Sequence, residues 1–226
     1  MASALALPYG DTFAWVSMVL VTERLRRQGI ATRLTAACLE ALEARGLEAR
    51  LDATAAGHAV YEKLGFTLGF TFTRWESDRA RPDGAAADTM AVARATGTDL
   101  VALAARDAAA FGADRTALLA MMLARCPDQA WIGEQGIILA RDGHRALQIG
   151  PLVADDDEMA AALLARALDG VVGPVFVDAI DGNDAFDAVL GAAGFTRQRQ
   201  FARMRRGAAA LEAPAGAYVI AGPEFG

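Results

Sequence analysis

Arg26-Arg27-Gln28-Gly29 is the stretch of this 226-residue sequence whose residue types and order point most directly to chemistry. An apolar run, Val19-Leu20-Val21, leads into it, and an amphipathic run begins at Ile30 just after it. A helix start leaves backbone N–H groups unpaired and carries the positive end of the helix dipole. Gly29 lets an anion approach the backbone closely, and the arginines add full charges beside it. The order predicts a phosphate site at Arg26, Arg27, Gly29 and the first turn of the helix that follows. A second candidate is Tyr61, within Val60-Tyr61-Glu62-Lys63-Leu64-Gly65-Phe66. Its hydroxyl is a proton donor at neutral pH. Asp52, in the run Leu51-Asp52-Ala53-Thr54 at a predicted strand's end, is the leading local base, with Asp11 and His58 behind it. Each also has a plainer reading. Asp52 reads as a cap or loop residue, His58 as a solvated histidine and Tyr61 as a half-buried aromatic.

The elements that must position these groups follow from periodicity. Ala4 to Leu7 and Phe13 to Val21 read as a hairpin, the second strand apolar on both faces as a central strand would be. Ile30, Leu34, Cys38 and Leu42 recur every fourth residue, predicting a helix over 30–45 that Gly46 ends. Leu47 to Ala53 reads as a strand, Gly57 to Leu64 as a short helix, and Phe66 to Trp75 as a strand. The alternation predicts an α/β fold, a mixed sheet flanked by helices. Ser77 to Asp88 has no apolar period and reads as linker.

A second region follows. Helices are predicted over 98–111, 114–125, 158–168 and 184–193, with Asp114 capping the second. Strands are predicted over 130–134, 136–141, 145–153, 172–180 and 196–204, with a short strand at 217–221. Its order echoes the first region: Leu152-Val153, helix, Val177-Asp178-Ala179-Ile180, helix, then Ala193-Gly194-Phe195. The chemistry is not repeated. Asp155-Asp156-Asp157-Glu158 stands where the first region has its arginines, and carboxylates there favour the helix but repel phosphate.

Bulk properties narrow the class. The chain is 54% hydrophobic with a net charge of −6, which argues against a general nucleic-acid partner. Its apolar runs are broken by charge well short of the ~20 residues a membrane span needs, and no targeting segment is evident. The expectation is a cytoplasmic protein with no membrane partner. The two cysteines, Cys38 and Cys126, read as buried thiols, and no metal site is expected.

Arg26-Arg27-Gln28-Gly29-Ile30-Ala31 together with Tyr61 and Leu64-Gly65-Phe66 resembles the GNAT superfamily of acyl-CoA-dependent N-acetyltransferases. The resemblance implies acetyl-CoA as cosubstrate. It implies that Met18, Val19, Leu20 and Val21 pair through main-chain groups with the pantetheine arm. Arg26 to Thr32 would cradle the pyrophosphate, Thr54 would line the arm, and Tyr61 would protonate the leaving thiolate. A main-chain N–H near Leu20 would polarise the acetyl carbonyl. The whole chain resembles bacterial proteins with an appended, degenerate GNAT-like C-terminal domain. That divides it into a core over 1–76 lacking its first elements, a linker over 77–95, and a C-terminal domain over 96–226. The latter is expected to supply the missing acceptor wall, through Phe111 to Arg115, Ile149 to Val153 and Ala221 to Glu224. Asp114, Arg115 and Asp178 are its candidate polar residues.

The expected function is transfer of an acetyl group to the amine of a small molecule by direct attack, in a chain that could pair as a homodimer. The rival expectation is a non-catalytic acyl-CoA or metabolite sensor. Another nucleotide at the same loop is disfavoured, because there is neither Gly-x-Gly-x-x-Gly nor a phosphate-loop lysine.

Overall fold

A computed structural model describes residues 1–81, 90–207 and 210–226. Residues 82–89, in the predicted linker, lie outside the described residues. The chain forms two compact units, each assembled from separated segments. The first comprises Met1–Thr71, Gln200–Glu212 and Pro223–Gly226, and the second Phe72–Arg199 and Ala213–Gly222. Both units are mixed α/β, with helices flanking a mixed sheet, as the alternating pattern predicts.

The first unit is built on strands β1 (Ala2–Tyr9), β2 (Phe13–Val21) and β3 (Glu48–Thr54), with helices α1 (Ile30–Glu43) and α2 (Ala55–Lys63). β1 and β2 form the expected hairpin, Tyr9 opposite Phe13. β2 runs parallel to β3 only from Phe13–Glu48 to Trp15–Arg50. The other neighbour of β3 comes from far along the chain. Phe201 to Arg206, the end of strand β10 (Thr196–Arg206), pairs antiparallel with Thr54 to Ala49. Alternation along β2 and β3 splits the side chains between two faces. Ala14, Val16, Ala49, Leu51 and Ala53 pack with Leu39 and Leu42 of α1, Met204 and Phe66. Thr35, Leu39 and Leu42 are the buried residues of α1, so the buried stripe lies to one side of the predicted Ile30–Leu34–Cys38–Leu42 row.

The second unit orders its strands β4–β9–β11–β8–β7–β6–β5. These are the end of β4 (Thr67–Ser77), β5 (Val92–Arg94), β6 (Trp131–Gly133), β7 (Gly136–Asp142), β8 (Leu147–Ala154), β9 (Val175–Ile180) and β11 (Ala217–Val219). Helices α3 (Leu100–Phe111) and α4 (Thr116–Arg125) pack against β7. Helix α5 (Asp157–Leu168) buries Met159, Ala160, Leu163, Leu164, Ala167 and Leu168, and α6 (Asp184–Ala192) buries Phe186 and Leu190. Both helices pack on Ile138, Ile149, Leu152, Val175 and Val177. Strand β5 falls in the stretch read as linker, where three strand residues are too few to show a period.

Candidate active site

In the first unit β2 and β3 part company after Trp15 and Arg50. Beyond that point β3 pairs only with β10, and β2 only with β1. Among the described residues, the facing edges of Val16–Val21 and Leu51–Thr54 carry no ladder partner. The divergence has a local cause. Ser3 pairs with Leu20 but Leu5 pairs with Ser17, so β2 holds one residue more than β1 between these points. Met18 sits at that bulge with φ 52°. A bulge bends the strand and re-aims its main chain. Met18 and Leu20 are 49% and 55% exposed, so apolar side chains stand in the open beside an unpaired edge.

The open edge leads to the start of α1. A 3-10 turn (Glu23–Leu25) follows β2, and Arg27 and Gly29 both take left-handed conformations, φ 61° and 70°. A Cβ at Gly29 would meet nothing, so the backbone conformation rather than crowding calls for glycine there. The first intrahelical bond runs from Arg33 N–H to the Gly29 carbonyl, and no side chain caps the helix. The N–H groups of Gly29, Ile30, Ala31 and Thr32 therefore lack intrahelical partners. Arg26 folds back to donate from Nε to the Val21 carbonyl at 3.3 Å. Arg24, Arg26, Arg27 and Gln28 are exposed around this helix start, which suits a solvent-facing anion.

Tyr61 lies on α2 with its ring edge-on to Phe66, centroids 5.9 Å apart. Gly57 gives it room, since a Cβ there would lie 3.0 Å from its ring and 3.8 Å from Thr54 Oγ1. Burial pushes the Tyr61 hydroxyl above its ordinary value, which keeps it protonated and a donor. Among the described residues that hydroxyl has no hydrogen-bond partner. Thr54 caps α2 by position, without a side-chain hydrogen bond.

Asp52, the expected local base, is engaged by another side chain. Its carboxylate is completely buried and takes both Nε and a terminal nitrogen of Arg203, each at 2.9 Å. Arg203 in turn lies over the Trp15 ring at 4.5 Å and the Phe70 ring at 5.2 Å. Protonating Asp52 would break this bidentate charged pair in the interior, and the pair ties β10 to β3. Sequence reading missed Arg203 because it lies 151 residues from its partner. Asp11 is exposed in the β1–β2 turn, and His58 sits 3.6 Å from Glu62 one helical turn on. One missed feature had a sequence signal. Ser17, a lone hydroxyl in an apolar strand, is buried with its Oγ unpartnered.

The second unit's candidates are all engaged structurally. Asp114 accepts from the Thr116 N–H at 2.8 Å. Arg115 is buried, paired with Asp107 at 2.7 and 2.8 Å and stacked on Phe111. Asp178 is buried and bound by Arg74 and by Gln148. No group of three or more His, Cys, Asp or Glu among the described residues is arranged to hold a metal ion. No described helix is long and apolar enough to cross a membrane.

Comparison with known proteins bears on both units. A family model described as "Acetyltransferase (GNAT) domain" matches residues 103–218, just over half of the chain. A second, "Acetyltransferase (GNAT) family", matches residues 1–66. The chain belongs to the GNAT acetyltransferase family. Among relatives, a Bacillus subtilis protein described as an uncharacterized N-acetyltransferase, YitH, is 28% identical over 171 residues, or 72% of this chain. The chain spans 59% of that relative's length. A Pyrococcus horikoshii crystal structure described as an acetyltransferase superposes with a TM-score of 0.81 at 24% identity. It covers 99% of this chain and 75% of its own. A tandem GNAT protein from the clavulanic acid biosynthesis pathway superposes at 0.63 and 17% identity, over 92% of this chain and 80% of its own. These likenesses speak for a shared GNAT fold.

Proposed function

We propose that the chain is an acetyl-CoA-dependent N-acetyltransferase that acylates the amine of a small molecule at the first unit. The observation that carries this reading is the unpaired edge of β2 ending on an uncapped helix start. An extended, amide-bearing chain can satisfy that edge, and a pyrophosphate suits the N–H groups of Gly29 to Thr32. Acetyl-CoA has both parts in that order, and when bound it supplies the acetyl thioester. Met18 to Val21 would hold its arm through main-chain groups, with the Leu20 N–H polarising the acetyl carbonyl. Arg26 and Arg27 would add charge at the pyrophosphate. Tyr61 would hold a proton at its hydroxyl for the departing thiolate, and the attacking amine's proton would pass to water. An acidic chain favours a cationic acceptor.

Titration calorimetry tests the reading. Acetyl-CoA should bind the native chain, and Gly29→Asp or Arg26→Glu should abolish binding. Binding unchanged by both substitutions would move the site elsewhere. The engagement of Asp52 by Arg203 favours a second reading, a sensor that keeps the acyl-CoA site without catalysis. Thiol release from acetyl-CoA across a panel of small amines separates the two.

A further inference from the structure

β8 and β9 repeat the geometry of β2 and β3. They run parallel and paired from Leu147–Val175 to Ile149–Val177, and beyond those residues the direct ladder ends. Here the gap is filled. Ala217–Val219 lies between the two strands, antiparallel to both, with Ala217 opposite Val153 and Val219 opposite Leu152 and Ala179. Two flanking bonds extend the seam. Ala154 N–H donates to the Gly216 carbonyl at 2.9 Å, and Ile220 N–H donates to the Asp178 carbonyl at 3.1 Å. Val219, Ile220 and Ala221 are 1%, 5% and 0% exposed, so the segment is core rather than a surface tail.

The slot is shaped for this occupant. A Cβ at Gly150 would lie 2.1 Å from the Ile220 carbonyl oxygen, and one at Gly216 would lie 2.8 Å from the Ala154 oxygen. Both glycines also take positive φ, 132° and 75°. The adjoining helix start is occupied in the same way. Asp156 accepts from the Met159 N–H at 2.8 Å at the start of α5. The Tyr218 hydroxyl donates to Asp157 at 2.9 Å, and Asn183 donates to the same oxygen at 2.7 Å. Carboxylates and a tyrosine of the chain itself stand at this helix start, and a phosphate brought there would meet like charge. Leu152 and Val153, within the stretch Ile149 to Val153, form one side of this seam.

We propose that Ala217–Ile220 is an internal occupant of the second unit's strand slot, standing in for an acyl-CoA arm, so that each chain takes up one acyl-CoA, at the first unit. The stoichiometry rests on the function proposed above, while the occupied slot stands on its own geometry. Calorimetry with acetyl-CoA should give one equivalent per native chain and none for Gly29→Asp. Two equivalents, or saturable binding left in Gly29→Asp, would overturn the proposal. Amide hydrogen exchange supplies an arm that does not depend on the first site. The Val219 and Ile220 amides should exchange at least ~100-fold more slowly than in an unfolded chain, and equally slowly with saturating acetyl-CoA. Exchange at the unfolded rate, or protection lost on adding acetyl-CoA, would show a slot that is not held by the chain. A native chain that binds no acetyl-CoA would sink the acetyltransferase reading, and exchange at Val219 would still decide whether the slot is filled.

Discussion

Tyr61 and Asp52 began as a pair, a proton donor and a proton acceptor, and their surroundings separate them. Burial raises the Tyr61 hydroxyl, so its acid form persists through neutral pH and above the ordinary phenol value of about 10. A general acid contributes on the order of 10²–10⁴ in rate. Tyr61→Phe is expected to lower turnover by at least roughly 10²-fold while leaving the acetyl-CoA dissociation constant unchanged. In a pH–rate profile the alkaline limb of the native chain should lie above pH ~10 and vanish in the variant. Equal turnover would remove Tyr61 from the chemistry. Asp52 sits in a different energetic position, since its partner Arg203 keeps both of its oxygens bonded in the interior. Removing one member of a buried pair costs about 3–5 kcal/mol, because the other charge is left without compensation. Arg203→Met should therefore destabilise by that amount in urea unfolding, and the double variant with Asp52→Leu should recover most of the loss. A cost below ~1 kcal/mol for Arg203→Met would mean the pair is not buried in solution.

At the scale of elements, the glycine-rich seam around β8 makes a separate prediction. Gly150 faces the Ile220 carbonyl too closely for any side chain. Gly150→Ala should cost about 1–3 kcal/mol, the usual range for overpacking, and should raise exchange at Val219 and Ile220 more than at Leu163 in α5. An unchanged melting temperature would show that β11 does not press on β8. That seam also marks what sequence could reveal. Helices and strands were legible because their periods are local: α1 shows in Leu39 and Leu42, and β2 in an apolar run that only Ser17 interrupts. The loop into α1 was legible for the same reason, since strand end, arginines, glycine and helix start are contiguous. Pairing over long separations was not. Phe-Ala-Arg-Met-Arg-Arg reads as one more strand, and nothing within it says that its neighbour is Asp52 rather than a nearer strand. The Met18 bulge was hidden too, because it exists only as a mismatch between two strands. The short strand read over 217–221 likewise carried no sign that its Ala217–Val219 part fills a gap between two others.

At the scale of the whole molecule, the units do not follow the chain. A linear reading places the acyl-CoA-binding core within residues 1–76, yet the first unit also takes in Gln200–Glu212 and Pro223–Gly226. These additions are structural members of that unit. Phe201 to Arg206 completes the ladder along β3, and Arg203 neutralises Asp52. The last residues contribute as well, because Trp15 Nε1 donates to the Pro223 carbonyl at 3.1 Å and the Tyr9 hydroxyl to the Phe225 carbonyl at 2.7 Å. A fragment ending at Glu76 would thus lose one flank of β3, both Arg203 bonds to a buried carboxylate and the carbonyls to which Tyr9 and Trp15 donate. Each loss is of a kind that costs kilocalories against a total stability of about 5–15 kcal/mol. The fragment 1–76 is expected to show no cooperative melt by circular dichroism and no acetyl-CoA binding, even though it carries Arg26 to Thr32 and Tyr61 intact. Adding a peptide of residues 196–207 should restore structure in proportion to its concentration, by mass action. A fragment that melts cooperatively and binds acetyl-CoA by itself would show that the anion loop needs neither β10 nor Arg203 to be held in place.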